Sequence, residues 1–453
     1  MRAHPRLAIL LAAAALQGAQ APDSPPAPAP AAVSPSQPED PVLADLLRDT
    51  FRRNPKIASA GKLREAETMK VAQAGTLPDP VLTLGLQNDG FDRIQIGRME
   101  TSYGLVMATQ AFPYPGKRRL REEIAQEGVR VAQAREQRIR LDLEAQVRRA
   151  YLDLLRLRGR MDLLQKQAEV WKRAEAAARS RYELGLGSQL DLLRAQLGGS
   201  RVAAERSLLQ GQETSRRVEL NRLAGRPADA PLPTTAALAD LPLPAAPDPE
   251  DAVKAAEEES PELLESRHHA RHFQQRVDLS RLDLRPDFSV SAGVMPRGSL
   301  PAMWSVSVGI SLPVWSRNKQ RKAVAENEAL QQAQVQDLEQ QRQLLSQRTR
   351  ERVARLRADL DTLALYRSGV LVQADASVQS ALGALESGRG TFTSVLEALN
   401  GAYGDQSAYL DTLAAAQEEL IALRQASLDG GALQVGATAM ATTTASTAST
   451  PGM

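Results

Sequence analysis

The sequence predicts an α+β membrane protein: a small set of strand hairpins continues into very long helices, and the whole plan is written twice. Motifs recur in one order. Leu77-Pro78-Asp79-Pro80, an alternating segment and Phe112-Pro113-Tyr114-Pro115-Gly116-Lys117-Arg118 are followed later by Arg285-Pro286-Asp287-Phe288, a second alternating segment and Leu312-Pro313-Val314-Trp315-Ser316-Arg317. Asn54-Pro55 matches Ser260-Pro261, and Tyr182-Glu183-Leu184-Gly185-Leu186-Gly187-Ser188 matches Leu385-Glu386-Ser387-Gly388-Arg389-Gly390-Thr391. A repeat of such long period implies two copies of one structural unit side by side.

At the start of the chain, Arg2, His4 and Arg6 precede an apolar run over 7–16 and the small-residue site Ala19-Gln20-Ala21, the pattern of an export signal over 1–21. That run is too short to span a bilayer, and no later stretch offers the ~18 apolar residues a spanning helix needs. The chain has no cysteine, so neither disulfides nor a lipid-bearing cysteine can anchor it. Any hold on membrane lipid therefore falls to strands. A net charge of +2 over 453 residues gives no reason to expect nucleic acid as partner.

The order of segments follows from composition. Residues 22–41 form a Pro-, Ala- and Ser-rich tether, and 42–225 the first copy, with a leading helix, a strand hairpin over 80–112 and a helical hairpin over 117–225. A Pro-rich, extended connector over 226–250 joins it to the second copy, 251–429, with a leading helix, a strand hairpin over 286–312 and a helical hairpin over 317–428. The tail, 430–453, has too little apolar content to offset the entropy of ordering and reads as disordered.

Strands are read from alternation. Leu82, Leu84 and Leu86 alternate with Thr83, Gly85 and Gln87, and Tyr103, Leu105 and Met107 with Gly104, Val106 and Ala108. In the second copy Phe288, Val290 and Ala292 alternate with Ser289, Ser291 and Gly293, and Trp304, Val306, Val308 and Ile310 with Ser305, Ser307, Gly309 and Ser311. Each segment has the length of a tilted membrane strand, about nine to eleven residues. Phe91, Tyr103, Phe112, Tyr114, Phe288, Trp304 and Trp315 fall at their ends, in a chain with only 3 Trp, 7 Tyr and 6 Phe, as an interfacial aromatic girdle requires.

Helices are read from the absence of proline between Pro115 and Pro227 and again from Val314 to the tail. Leu143, Val147, Ala150, Leu154, Leu157, Met161, Leu164, Ala168 and Trp171 step by four and three, the seam of a coiled coil; Val353, Leu356, Leu360 and Leu363 repeat it more weakly. Each arm breaks once, at Gly185-Leu186-Gly187 and at Gly388-Arg389-Gly390, with Ser188 and Thr391 suited to cap the returning helices. The first outgoing arm, 117–182, reaches on the order of 100 Å at about 1.5 Å per residue.

Two strand hairpins cannot close a barrel, and lipid does not tolerate an open strand edge. Three chains of four strands supply a twelve-stranded barrel, an even number within the known range, with the helical hairpins continuing from it as a coiled-coil cylinder. Prolines at 113, 115 and 313 mark where strand gives way to helix.

The signature Gln110-Ala111-Phe112-Pro113-Tyr114-Pro115-Gly116-Lys117, the tip pattern Tyr182-x-x-Gly185-x-x-Ser188-x-x-Asp191-x-Leu193 and the order of parts resemble the TolC-type outer-membrane efflux proteins over roughly 41–428. The resemblance implies a homotrimer whose barrel opens outward and whose helical tunnel crosses the periplasm. Docking to a periplasmic adaptor protein and an inner-membrane efflux transporter is implied as well. The Phe112-to-Lys117 stretch is similar to members of heavy-metal efflux systems. Two departures stand out: no cysteine is available for acylation, and the second tip has Ser394 and Glu397 where the family often carries two acids.

Candidate sites follow. Leu184, Gly185, Leu186, Gly187 and Ser188, with Ser387, Gly388, Arg389, Gly390 and Thr391, form tips placed to meet an adaptor; glycine alone turns so sharply at little cost. Glu397 and Asp191 lie just past the turns, and three-fold symmetry makes each a ring of acids at a pore gate. A solvated helix face, stabilised by the helix dipole, is the plainer reading of the same acids. His268 and His272 stand one helical turn apart, a spacing that could hold a metal, or else mark a polar helix face. No nucleophile elbow, phosphate loop or dinucleotide fingerprint is present, so neither an enzyme nor a cofactor is expected. The competing readings are an exit duct for metal ions or small toxic compounds, a conduit for secreted proteins in a type I system, and a coiled-coil structural protein of the envelope without transport. The strands argue against the last.

Overall fold

The computed structural model describes residues 40–234 and 236–428; the export signal, nearly all of the tether and the tail lie outside the described residues. Helices α1 (Pro41–Arg53) and α2 (Pro55–Gly75) lead to strands β1 (Val81–Gln87) and β2 (Tyr103–Phe112), then to helices α3 (Lys117–Glu183) and α4 (Gln189–Leu223). The same order follows with α5 (Pro249–Glu259), α6 (Pro261–Leu282), β3 (Asp287–Arg297), β4 (Leu300–Ser311), α7 (Gln320–Leu365), α8 (Leu371–Glu386) and α9 (Phe392–Gln425). Four helices, α1, α2, α5 and α6, start on proline, which suits a first turn whose amide has no partner. Asn54 ends α1 and caps α2, accepting the Lys56 amide at 3.0 Å. α1 begins within the segment read as tether, because Asp40 caps it through the Val42 amide at 2.9 Å.

The seam residues bury as their spacing demands. Leu143, Val147, Leu154 and Leu164 of α3 are almost fully buried, as are Val353, Leu356 and Leu363 of α7. Leu43 and Leu46 of α1, Leu220 of α4 and Leu413 of α9 complete one cluster on α3. Trp171 and Ala174 with Ala195, Val202, Leu382, Phe392 and Val395 form a second cluster nearer the tips. Each fully buried leucine contributes about 2 kcal/mol. The spine is thus α3, 67 residues long.

Two features of the helical parts go beyond the sequence reading. The second arm has an extra irregularity: a π turn over Tyr366–Val370, between α7 and α8, where Ser368 and Gly369 weaken the ladder and Arg367 turns to the Tyr409 hydroxyl at 2.9 Å. The connector is extended but fixed in place. Leu232 and Leu238 are buried, Asn221 donates to the carbonyls of Ala228 and Ala230, and Arg357 and Gln417 reach the carbonyls of Pro247 and Pro242. Tyr151 of α3 ties this connector to the start of α1, bonded to Asp40 and, at 2.7 Å, to Thr234.

The strands form one antiparallel sheet in the order β1-β2-β3-β4. Its central pair joins the two hairpins: Phe112 faces Phe288 and Val106 faces Val294. Leu82, Leu84, Val290, Val294, Val306, Val308 and Ile310 share one face, and that face is exposed, Trp304 to 78% and Val308 to 67%. The serines of β3 lie on the other face and are half-buried.

The alternation of β2 runs opposite to the sequence reading. Val106 and Ala108 stand on the exposed apolar face, paired with Leu84 and Leu82, while Leu105 and Met107 turn to the serine face. Size explains it: Leu105 pairs with Gly85 and Met107 with Gly293, and a Cβ on Gly293 would come within 3.1 Å of that of Met107. β1 is also shorter than read, 7 residues, because the Asn88 side chain begins a loop by bonding the Gly90 carbonyl at 2.7 Å and the Gln95 amide at 2.7 Å.

Sheet and helices meet at one buried charge. Lys117, the first residue of α3, is 2% exposed, and its Nζ lies 3.2 Å from Asp283 and 2.9 Å from Asp287. Asp287 also accepts the Tyr114 amide at 2.7 Å. Gly116, at φ 96°, turns the chain into α3 where a Cβ would meet Leu282 Cδ1 at 3.2 Å. The end of the first hairpin is thereby locked to the start of the second. Replacing Lys117 with Met is expected to cost about 1–3 kcal/mol, the carboxylates being half exposed and able to regain water. Thermal unfolding of the detergent-solubilised protein checks this; an unchanged midpoint contradicts it.

Candidate functional site

The far ends of the helical arms present two turns of one geometry. α3 stops when the Leu184 amide bonds Ser180 O at 3.1 Å and the Leu186 amide bonds Arg181 O at 2.8 Å, around Gly185 at φ 69°. α8 stops in the same way, the Arg389 amide on Ala384 O at 2.9 Å, around Gly388 at φ 74°. Ser188 Oγ then accepts the Asp191 amide and Thr391 Oγ1 the Ser394 amide, both at 3.2 Å, capping α4 and α9.

These turns expose what the sequence singled out. Leu184 and Leu186 are about 70% exposed, and Ser188, Ser387, Gly388, Arg389 and Thr391 are exposed with them, while Gly187 and Gly390 are half-buried. From Leu186 the exposed apolar surface runs along α4 through Leu190, Leu193 and Leu197, at coiled-coil spacing. The two tips lie side by side around a cleft of about 490 Å³ lined by Leu186, Ser188, Asp191, Gly390 and Thr391. Arg181 ties them, donating to Leu385 O and to Leu186 O, each at 3.3 Å. Sequence reasoning passed over Arg181; its only signal was a long basic side chain in the last turn of α3, where free carbonyls collect.

The two acids separate. Asp191 is half-buried and faces the cleft, whereas Glu397 is exposed on α9 and its side chain makes no hydrogen bond or ion pair among the described residues. The histidines go to packing. His268 Nδ1 lies 2.8 Å from the buried carboxylate of Glu127, which also pairs with Arg130, so the ring ties α6 to α3. His272 sits edge-on to Phe273 with its Nδ1 buried, and burial, with Arg276 beside it, pushes its pKa below the ordinary imidazole value. Among the described residues no group of three or more His, Asp and Glu side chains is placed to hold a metal ion.

At the opposite end, the sheet offers an exposed apolar face and two free edges, β1 and β4. No described helix is long and apolar enough to cross a membrane.

Known proteins share this architecture. The model of the outer membrane efflux protein family matches residues 46–226 and 252–427. The nickel-cobalt-cadmium resistance protein NccC of Alcaligenes xylosoxydans xylosoxydans is 24% identical over 297 residues, a match spanning 62% of this chain and 63% of that protein's length. Among solved structures, CusC, described in connection with transmembrane channel formation, superposes with a TM-score of 0.73 at 16% identity, covering 86% of this chain and 93% of its own. The open-state MtrE outer membrane channel of Neisseria gonorrhoeae gives 0.70 at 18% identity, covering 85% and 89%. With the helices on both sides of the connector matched, and all four strands included, the chain belongs to the outer membrane efflux protein family and is a protein of the outer membrane.

Proposed function

We propose that this chain is the exit duct of a tripartite efflux system. Three copies close a twelve-stranded barrel in the outer membrane, and their helices continue it as a tunnel through the periplasm toward an adaptor protein and an inner-membrane transporter. One observation carries the reading: a four-stranded sheet with an exposed apolar face and two unpaired edges is joined rigidly, through Lys117, to a 67-residue helix. Lipid satisfies the apolar face but not the edges, so copies of the chain must supply the missing ladder. The half-buried serine face then lines water. A conduit for secreted proteins would use the same frame. The relation to a nickel-cobalt-cadmium resistance protein and the Phe112-to-Lys117 signature favour metal ions as cargo, with small toxic compounds next.

At the tips, Leu184, Leu186, Ser387 and Arg389 are the surface offered to an adaptor, because the turns at the ends of the arms expose them. Asp191, in the first turn of α4, and Glu397, in the second turn of α9, repeat three times around the axis and form rings that attract cations.

The barrel reading is tested by Val308→Arg, expected to cost about 2–4 kcal/mol near the bilayer midplane and to reduce membrane assembly, against Ser307→Arg, which faces water and is better tolerated. Equal effects at the two positions refute the assigned faces. For the tips, cysteines at Leu186 and Arg389 are expected to cross-link to the adaptor in cells while cysteines at mid-helix do not; the reverse pattern moves the docking site up the arms. Glu397→Gln is expected to lower cation selectivity and weaken block by multivalent cations in planar bilayers without changing assembly. Unaltered selectivity and block return Glu397 to a solvated helix face.

A further inference from the structure

Within the chain, the first hairpin meets the second in a defined way: Phe112 opposite Phe288, Gln110 opposite Val290, Ala108 opposite Ala292, with Lys117 closing the corner on Asp287. The partners of this corner recur in the sequence. Leu312-Pro313-Val314-Trp315-Ser316-Arg317 stands where Phe112-Pro113-Tyr114-Pro115-Gly116-Lys117 stands, and Pro78-Asp79-Pro80 stands where Pro286-Asp287-Phe288 stands. Arg317 thus takes the place of Lys117, and Asp79 the place of Asp287.

Both residues are exposed, and neither side chain makes a hydrogen bond or ion pair among the described residues. They lie at opposite edges of the sheet, Asp79 just before β1 and Arg317 just after β4, so they cannot serve each other in one copy. We propose that Arg317 pairs with Asp79 of the next copy of the chain, and that this ion pair sets the register in which β4 of one copy joins β1 of the next. The inference rests on the trimeric reading above and adds to it a specific contact and a specific register.

Carrying the internal pairing across puts Ile310 opposite Leu82, Val308 opposite Leu84 and Val306 opposite Leu86. Each pair is apolar, and all six residues are exposed on one face of the sheet. A slip of one residue would turn every side chain to the wrong face. Slipping by two keeps the faces but carries Asp79 about 7 Å along the strand from Arg317, and only the charges oppose it. The occupant of both free edges is therefore a second copy, recognised by opposite charge at one corner and matching faces along the strands.

Charge reversal and cysteine capture test this in the full chain, which has no native cysteine. Asp79→Arg and Arg317→Asp, made singly, are each expected to lower the ratio of trimer to monomer on heating in detergent by on the order of fivefold, and together to restore it. Leu82→Cys with Ile310→Cys is expected to give oxidative cross-links between chains, whereas Leu84→Cys with Ile310→Cys is not. A double reversal no better than its singles overturns the ion pair. Cross-links found only with the Leu84 pair overturn the register while leaving the trimer intact. An unmutated protein that runs as a monomer removes the trimer itself.

Discussion

The constraint on which the rest depends is that a peptide group in hydrocarbon must be hydrogen-bonded to another peptide group. Among the described residues, the outer edges of β1 and β4 have no neighbouring strand to supply such a partner. Water would solve the problem, but the sheet's apolar face, with Leu84, Val294, Trp304 and Val308 exposed, excludes that solution. In the proposed assembly, association is thus a consequence of strand chemistry. The helices would follow from the same demand, since hairpins held in a ring carry their arms in a ring as well.

What makes the arrangement stiff is the corner at Lys117. A lysine 2% exposed is costly unless its charge is met, and here two carboxylates meet it from the other half of the chain. The corner therefore couples the hydrogen-bonding direction of the sheet to the axis of α3. Buried seams then carry that direction to the tips, where Arg181 holds two turns side by side. The acids at the far end inherit their positions from this chain of contacts.

The sequence disclosed those parts whose physics is local. Glycine turns with Ser188 and Thr391 behind them, prolines at helix starts and the step of Leu143, Val147 and Leu154 all rest on neighbours within a few residues, and they were legible. The facing of β2 was not: Leu105 and Val106 are both apolar, and only the glycines across the ladder, Gly85 and Gly293, decide which can turn inward. Lys117 belonged to a recognisable motif, but its burial depends on Asp287, distant in sequence. The same holds for the His268 and His272 pair. Their spacing on one helix says nothing of Glu127, distant in sequence, against which His268 lies.

The central claim is that the sheet is completed by other copies of the same chain. It is tested most directly by the protein mass of the detergent-solubilised particle, measured by light scattering with the detergent subtracted. The account predicts the mass of three chains. A stable, folded particle with the mass of one chain would contradict it, because its two strand edges would then be satisfied in some other way.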